Sequence, residues 1–236
     1  SLRNPDDGSW NLWKKKVQSA GLTRLTRGPY VDTYPCVSPD GKYIYFSSNR
    51  SGNFDIWRIK VTGGGGITRI TSHDNRDFAP DVSHDGKYIA FHSYTPGINR
   101  PQIWICKTNG TEMTQVKRGR EPKWSHDDSK LLYLASSEDG KQDVWEMKIQ
   151  GTETTKMSSN AMIRDARYTP DGNIIVSMKS QRGKWENYDL WVGPTQITTN
   201  PSDDDYPLFD SNGRLYFRSN RGYDFNIWRT DALNLH

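Results

Sequence analysis

The sequence lacks several features that would define its partners at once. No apolar run is long enough to span a membrane, so we expect no membrane insertion. The only two cysteines, Cys36 and Cys106, fall in different repeats, and buried free thiols are favoured over a disulfide. The 32 Lys and Arg are scattered among 28 Asp and Glu, and the densest basic run, Lys14–Lys16, is typical of an exposed strand edge. We therefore expect no nucleic-acid partner.

Signatures of several enzyme classes are also missing. No Gly-x-Ser-x-Gly nucleophile elbow occurs, and the run 63–66 lacks the Lys-Ser/Thr of a phosphate-binding loop. Neither spacing nor repeat position brings His73, His84, His92 and His126 together as the three or four ligands that zinc needs. We expect no catalytic residue and no cofactor, and the balance favours a protein that is not an enzyme.

What the sequence does contain is a recurring Trp that follows an aliphatic residue. The six copies are Trp13, Trp57, Trp104, Trp145, Trp191 and Trp228, spaced by 44, 47, 41, 46 and 37 residues. A period in the low forties in a strand-rich chain predicts the blades of a β-propeller. Their fixed place in each repeat predicts that these indoles pack between blades. Trp10 and Trp185 break the pattern and are expected at the surface.

Each repeat has the same order of strands, labelled A to D from the inside outwards. A short segment with a proline or an aromatic residue (A) leads to a tight turn such as Ser38–Gly41, in which Asp-Gly is a strong hairpin signal. A β-branched and aromatic run (B), the Trp strand (C) and an alternating strand such as 67–71 (D) follow. The prediction is an all-β fold, a β-propeller of four-stranded antiparallel blades.

The number of blades is less well defined than their type. We expect one domain over residues 1–236, with a partial first blade at 1–27 and blades at about 30–72, 77–117, 120–158, 164–199 and 204–236. Strand C occurs six times but the A–turn–B unit only five times, so the chain is expected to start and end inside blades. Six blades in the parent protein are favoured. Five remain possible if Leu22–Thr26 supplies strand D to the last blade and removes its exposed edge.

One family shares these motifs. The segment 34–71 resembles the TolB-type, WD40-like repeat called PD40 at Ser38–Lys42, Phe46–Arg50, Asp55–Trp57 and Thr68–Thr71, and the resemblance recurs over residues 10–231. Departures are His84 and His126 in place of the turn proline and Asp128 in place of the turn glycine. The family includes a periplasmic binding protein without catalytic activity, and similar repeats occur in dipeptidyl-peptidase-like proteins and oligogalacturonate lyases. The resemblance implies an extracytoplasmic location, periplasmic or secreted.

Acidic residues recur where strand D leads into the next strand A, which is expected at one mouth of the central channel. Four repeats carry Asp32, Asp77, Asp165 and Asp204 at this junction. Three roles are open: they fix the loop by accepting backbone N–H bonds, they contact a peptide, or they form a ring that holds Ca²⁺. The acidic run Asp203–Asp205 is expected to be a solvated loop.

Arginine and tyrosine, which dominate hot spots of protein interfaces, flank these aspartates. They are Tyr34, Arg76, Arg120, Arg164 and Tyr206. Together with the four aspartates they are predicted to bind a protein or peptide partner. The alternatives are a carbohydrate-active enzyme of the uronate lyase or glycoside hydrolase type, a carbohydrate-binding module that uses Trp10 or Trp185, and a propeller that gates a separate catalytic domain.

Overall fold

The computed structural model describes residues 1–3, 8–16, 21–64, 66–98, 100–137, 140–150, 153–158, 162–182, 185–222 and 224–230. Over these residues the regular secondary structure is β-strand throughout, which confirms the all-β prediction. No helix in the same residues could cross a membrane. The chain divides into two compact units, Ser1–Trp124 and Ser125–His236. The expectation of a single domain over the whole chain stays a prediction.

The strands of the first unit follow one another with short connections. They are β1 (Leu2–Arg3), β2 (Trp10–Asn11), β3 (Trp13–Lys15), β4 (Leu22–Arg24), β5 (Asp32–Val37), β6 (Tyr43–Ser48), β7 (Asp55–Lys60), β8 (Thr68–Arg69), β9 (Arg76–Val82), β10 (Tyr88–Tyr94), β11 (Gln102–Lys107), β12 (Thr114–Arg118) and β13 (Arg120–Trp124).

The second unit continues the same succession. Its strands are β14 (Lys130–Ser136), β15 (Gln142–Lys148), β16 (Thr154–Lys156), β17 (Ile163–Tyr168), β18 (Ile174–Arg182), β19 (Trp185–Val192), β20 (Thr195–Gln196), β21 (Asp204–Phe209), β22 (Leu215–Gly222) and β23 (Asp224–Arg229).

Neighbours in sequence are neighbours in each sheet. The strand orders are β5-β6-β7-β8, β9-β10-β11-β12, β13-β14-β15-β16, β17-β18-β19-β20 and β21-β22-β23. Four antiparallel strands that run up and down without a crossover form one propeller blade, so the predicted fold class is confirmed. Five of the sheets begin with a strand A, so the described residues contain five blades, the number that the sequence analysis gave as the alternative. The favoured count of six refers to a longer parent protein and stays a prediction.

The segment before the first complete blade forms two short antiparallel pairs, β1 with β2 and β3 with β4. Trp13 lies opposite Arg24, and Lys15 lies opposite Leu22. The strand that could have completed the last blade, Leu22–Arg24, is thus paired inside the first unit. The described part of the last sheet has three strands.

The A–B turns have the local chemistry that the sequence predicts. In the first complete blade the Gly41 N–H bonds the Ser38 carbonyl at 2.8 Å, and Gly41 has a φ of 67°, which a residue without Cβ adopts at no cost. The Asp40 carboxylate accepts the Ser38 hydroxyl at 2.7 Å and the Lys42 N–H at 3.0 Å. In the next blade the same bonds, led by the Lys87 N–H, lower the pKa of Asp85 to about 2. These carboxylates are therefore ionised at neutral pH.

The prediction that the repeated indoles pack between blades is confirmed for Trp57 and Trp104, each of which packs against a buried cluster drawn from two neighbouring repeats. Trp13 and Trp228 are exposed to 37% and 38%, and the other four are half-buried. Five of the six aliphatic residues that precede them are at most 2% exposed: Leu12, Ile56, Ile103, Val144 and Leu190. Successive side chains on a strand point to opposite faces, so the aliphatic residue is fully buried on one face of the sheet while the indole lies on the other face, where it is buried only in part.

This arrangement predicts unequal effects of one mutation at equivalent positions. Ile56→Val should lower the free energy of unfolding by about 0.5–1.5 kcal/mol, because it removes one buried methylene. Ile227, its counterpart in β23, is 73% exposed, and Ile227→Val should leave stability unchanged. Chemical denaturation of both variants measures the difference, and equal effects would contradict the assignment of Ile56 to the core.

Candidate functional site

The four predicted aspartates lie at or near the start of strand A, and each is at most 1% exposed. Two of them are held by an arginine that lies at the end of strand B or just after it. Arg50 Nη2 lies 2.7 Å from Asp32 Oδ1, and Arg221 Nη2 lies 2.7 Å from Asp204 Oδ2. A charge-assisted contact of this kind offsets the cost of burying a carboxylate. The arginine therefore fixes the D–A junction of its own blade.

The arginine belongs to a Ser-Asn-Arg motif that acts as a unit. The Ser48 hydroxyl accepts the Arg50 Nε–H at 2.9 Å, and the Asn49 side-chain carbonyl accepts the Val31 N–H at 2.8 Å. In the last blade Ser219 accepts Arg221 at 2.9 Å, and Asn220 accepts the Asp203 N–H at 2.9 Å.

These contacts bear on two points of the sequence analysis. The partners of Asp32 and Asp204 are arginine side chains, whereas one of the three roles left open had them accept backbone N–H bonds. The run Asp203–Asp205 is not a solvated loop, because Asp204 and Asp205 are fully buried and only Asp203 remains half-buried. Because the four junction aspartates are buried, they cannot contact a partner directly, but they can position the residues around them.

Asp77 departs from this pattern because Tyr94 and Thr95 occupy the positions of Asn and Arg. Its carboxylate accepts the Ser93 hydroxyl at 2.7 Å, and His73 Nε2 lies 3.3 Å from Oδ2. Burial without a guanidinium raises the pKa of Asp77 to about 7. Burial also lowers the pKa of His73. His73 therefore stands in the place of the arginine as a weaker partner.

Asp165, in the second unit, has a third kind of partner. Arg167 Nε lies 3.7 Å from its Oδ2, a longer contact than those of Asp32 and Asp204.

Strand A contains a bulge that the sequence reasoning missed. Tyr34, Ala79, Glu121 and Tyr206 have φ values of 50°, 51°, 53° and 52°, and each stands immediately before a proline. The pairing register of A with B shifts at three of these places. Bulges of this kind re-aim side chains and are often found beside binding sites. The signal in the sequence was the X-Pro dipeptide two or three residues after the junction aspartate.

In the first unit the bulge brings aromatic side chains together near Arg76. Phe78 lies at the centre, with ring centroids 4.6 Å from Phe54, 6.0 Å from Tyr94 and 6.4 Å from Tyr34. Arg76 is exposed, and its guanidinium carbon lies 5.8 Å from the Tyr94 centroid. We call Tyr34, Phe54, Arg76, Phe78 and Tyr94 the aromatic–arginine surface.

Arg120, also predicted to bind, is tied to a buried neighbour. It pairs with Glu121, whose backbone N–H donates to His92 Nδ1 at 3.2 Å. Burial lowers the pKa of His92 to about 3, so this imidazole is a neutral acceptor at physiological pH. The role of His92 is therefore structural.

In the second unit one buried carboxylate organises two arginines. Asp205 accepts Arg218 in a bidentate contact of 2.7 Å and 2.7 Å, and it accepts Arg164 at 2.8 Å. Arg164 also reaches Asp203 at 3.1 Å and lies 3.6 Å over the Tyr188 ring. We call these five residues, together with Tyr206, the arginine cluster.

Tyr206 joins the cluster through Arg218. The guanidinium carbon of Arg218 lies 4.7 Å from the Tyr206 centroid and 4.3 Å from that of Phe225. Stacking on aromatic faces holds an arginine at low entropic cost while its edge stays available for hydrogen bonds.

Other candidate residues have plainer surroundings. Across the described ranges no group of three or more His, Cys, Asp and Glu could hold a metal ion. Cys36 and Cys106 are not joined in a disulfide; Cys36 is half-buried rather than buried as expected, whereas Cys106 is buried, and burial raises its pKa to about 12. Trp10 is 40% exposed, which confirms its predicted surface position. The side chain of Trp185 lies outside the described residues.

Sheets of this order, most of them with a bulged strand A and a buried acidic junction, define a β-propeller built from one repeat. The family model described as the TolB beta propeller domain matches residues 2–120, half of the chain. The protein belongs to this family. The match covers the first unit, and the second unit repeats its sheet order.

Two solved structures show the same fold at low sequence identity. TolB from Acinetobacter baumannii superposes with a TM-score of 0.70 and 16% identity, over 98% of this chain and 63% of that one. A puromycin-hydrolyzing peptidase from Mycobacterium tuberculosis superposes with a TM-score of 0.69 and 15% identity, over 99% of this chain and 40% of that one.

Similarity in sequence to curated proteins is local. A protein of Agrobacterium fabrum is 40% identical over 57 residues, which are 24% of this chain and 20% of that protein. The Tol-Pal system protein TolB of Bordetella pertussis is 42% identical over 52 residues, which are 20% of this chain and 12% of that protein. The alignments thus span a fifth or less of the length of these relatives.

Proposed function

We propose that this propeller is a non-catalytic scaffold that binds a protein or peptide partner through the D–A junctions of its blades. The observation that carries the proposal is the aromatic–arginine surface, where an exposed arginine lies over an aromatic group held by a strained bulge. Arg and Tyr are enriched among residues that dominate binding energy. Because the strand positions are fixed, little conformational entropy is lost on binding.

The predicted partner-binding residues divide into two groups under this proposal. Tyr34, Arg76, Arg120, Arg164 and Tyr206 are at least partly exposed and would touch the partner. The junction aspartates Asp32, Asp77, Asp165 and Asp204 are buried and would act by positioning these neighbours. The family relationship further supports an extracytoplasmic location, which we include in the proposal.

We expect Arg76→Ala to weaken partner binding about tenfold or more, because truncating a hot-spot residue costs at least about 1–2 kcal/mol. A displayed library of random peptides provides the probe, and dissociation constants of the selected peptides are measured for wild type and variant. Arg76 is exposed, so the variant should unfold at the wild-type temperature.

Arg214→Ala is a suitable control, since Arg214 is an exposed arginine in an A–B turn, away from the D–A junctions. Peptides that bind both variants as well as wild type would contradict the assignment of the surface. Metal-dependent release of product from polyuronates would instead support the carbohydrate-active alternative, and glycan binding that is lost on Trp10→Ala would support a carbohydrate-binding module.

A further inference from the structure

A second candidate site lies in the first unit, at the A–B turns. A cavity of about 370 Å³ opens between the turns of its first two complete blades. Its lining includes Tyr43, Tyr45 and Arg58 from the first of these blades, and Asp40 and Asp85 from the two turns. This volume lies within the range of roughly 300–1,000 Å³ that is typical of small-molecule pockets.

Arg58 is the unusual residue of this cavity. It is half-buried on β7, and its guanidinium carbon lies 4.5 Å from the Tyr43 centroid and 6.0 Å from that of Tyr45. Other half-buried arginines with described side chains bond or pair with a carboxylate, a hydroxyl or a carbonyl. They are Arg24, Arg50, Arg120, Arg164, Arg167, Arg218 and Arg221.

Within the described ranges Arg58 has stacking contacts and no hydrogen bond or ion pair. A guanidinium has five N–H donors in a fixed fork that matches a carboxylate in a bidentate manner. Two aromatic rings therefore hold an arginine whose hydrogen-bonding capacity is unused, and they hold it at a cavity.

The rest of the lining restricts the anion that could bind. Asp40 and Asp85 are ionised at neutral pH, because hydrogen bonds from their own turns lower the pKa of both carboxylates. Each of them is paired with a more exposed lysine, Asp40 with Lys42 at 3.3 Å and Asp85 with Lys87 at 2.9 Å. The surroundings of the cavity therefore hold fixed charges of both signs, which favours a ligand that also carries both. The same carboxylates would accept hydrogen bonds from a cationic group on the ligand.

We propose that the cavity binds a small zwitterion of the α-amino acid class, with the ligand carboxylate on Arg58 and the ammonium group toward the turn carboxylates of Asp40 and Asp85. The tyrosine rings contact the body of the ligand. This site is separate from the D–A junctions and does not depend on the function proposed for them.

The twenty L-amino acids, titrated singly into the ¹⁵N-labelled full chain, test the proposal by chemical-shift changes. At least one should give saturable binding, with shifts centred on residues 38–45 and 82–86. Its α-amide, which lacks the carboxylate, and its N-acetyl derivative, which lacks the positive charge, should each bind at least tenfold more weakly. An amide that binds as well as the acid would overturn the role of Arg58. A concentration of about 10 mM is a generous upper limit for a specific site, so the absence of saturable binding by all twenty amino acids up to that concentration would overturn the site.

Matched variants separate the site from a general effect of charge. Arg58→Gln should weaken binding of the selected amino acid at least tenfold. Arg229→Gln should not, although Arg229 lies opposite Tyr216 in the same register that places Arg58 opposite Tyr45. Should Arg58→Gln fail to fold, Asp85→Asn provides a second test through the ammonium group. Unchanged affinity in whichever of these two variants is folded would contradict the proposal.

Discussion

Arg50→Ala should lower the free energy of unfolding by about 3–5 kcal/mol, because it leaves the fully buried Asp32 carboxylate without its counter-ion. The loss includes packing, since the guanidinium carbon of Arg50 lies 5.2 Å from the Tyr30 centroid, 5.4 Å from that of Phe46 and 5.3 Å from that of Trp57. Urea denaturation followed by tryptophan fluorescence measures the change.

The double variant Arg50→Ala/Asp32→Asn is the informative companion. A neutral amide costs less to bury than an unpaired carboxylate, so the double variant should be more stable than Arg50→Ala alone. Lys42→Ala serves as a control, since its ion pair with Asp40 is exposed to solvent and its loss should not be measurable. If Arg50→Ala were as stable as Lys42→Ala, the buried pair would not support the junction.

Asp205→Ala should have the second large effect, a loss of about 3 kcal/mol of stability. Its carboxylate joins Arg164 and Arg218, and the variant leaves two neighbouring guanidiniums to repel each other. The value lies at the lower end for a buried pair because both arginines are partly exposed, to 30% and 37%, and can turn toward water.

Asp203→Ala tests whether the effect is specific to Asp205 or follows from the loss of any carboxylate near Arg164. Asp203 contacts the same Arg164 at 3.1 Å but is itself 27% exposed, so its removal should cost much less. Thermal unfolding of both variants gives the comparison, and equal losses would show that Asp205 does not organise the arginine cluster. Peptides that bind the second unit should also lose affinity for Asp205→Ala.

Local signals in the sequence identified the turns and the sheet order. The turn Ser38–Lys42 could be predicted because every bond that shapes it joins residues at most five positions apart. The complete burial of Ile56 beside a half-buried Trp57 could not, because alternation along a strand defines two faces without saying how closely a neighbouring sheet covers each of them.

The candidate site was harder to predict for a related reason. The partner of Asp32 stands 18 residues further on, and nothing in the acidic pattern alone distinguishes a paired buried carboxylate from a solvated one. The left-handed backbone conformation of Tyr34 could not be predicted either, since a residue before proline ordinarily prefers an extended conformation.

The ion pair between the Ser-Asn-Arg motif and the junction aspartate has a consequence for how the blades can differ from one another. Both ends of each Arg-to-Asp link, Arg50 with Asp32 and Arg221 with Asp204, come from a single blade. A blade whose D–A junction is stabilised by its own residues can carry different exposed residues without compensating changes in the neighbouring blades. The residues that contact a partner can then differ from one blade to the next, as they do in the blade of Asp77, where Thr95 stands at the position of the arginine and His73 contacts the carboxylate instead.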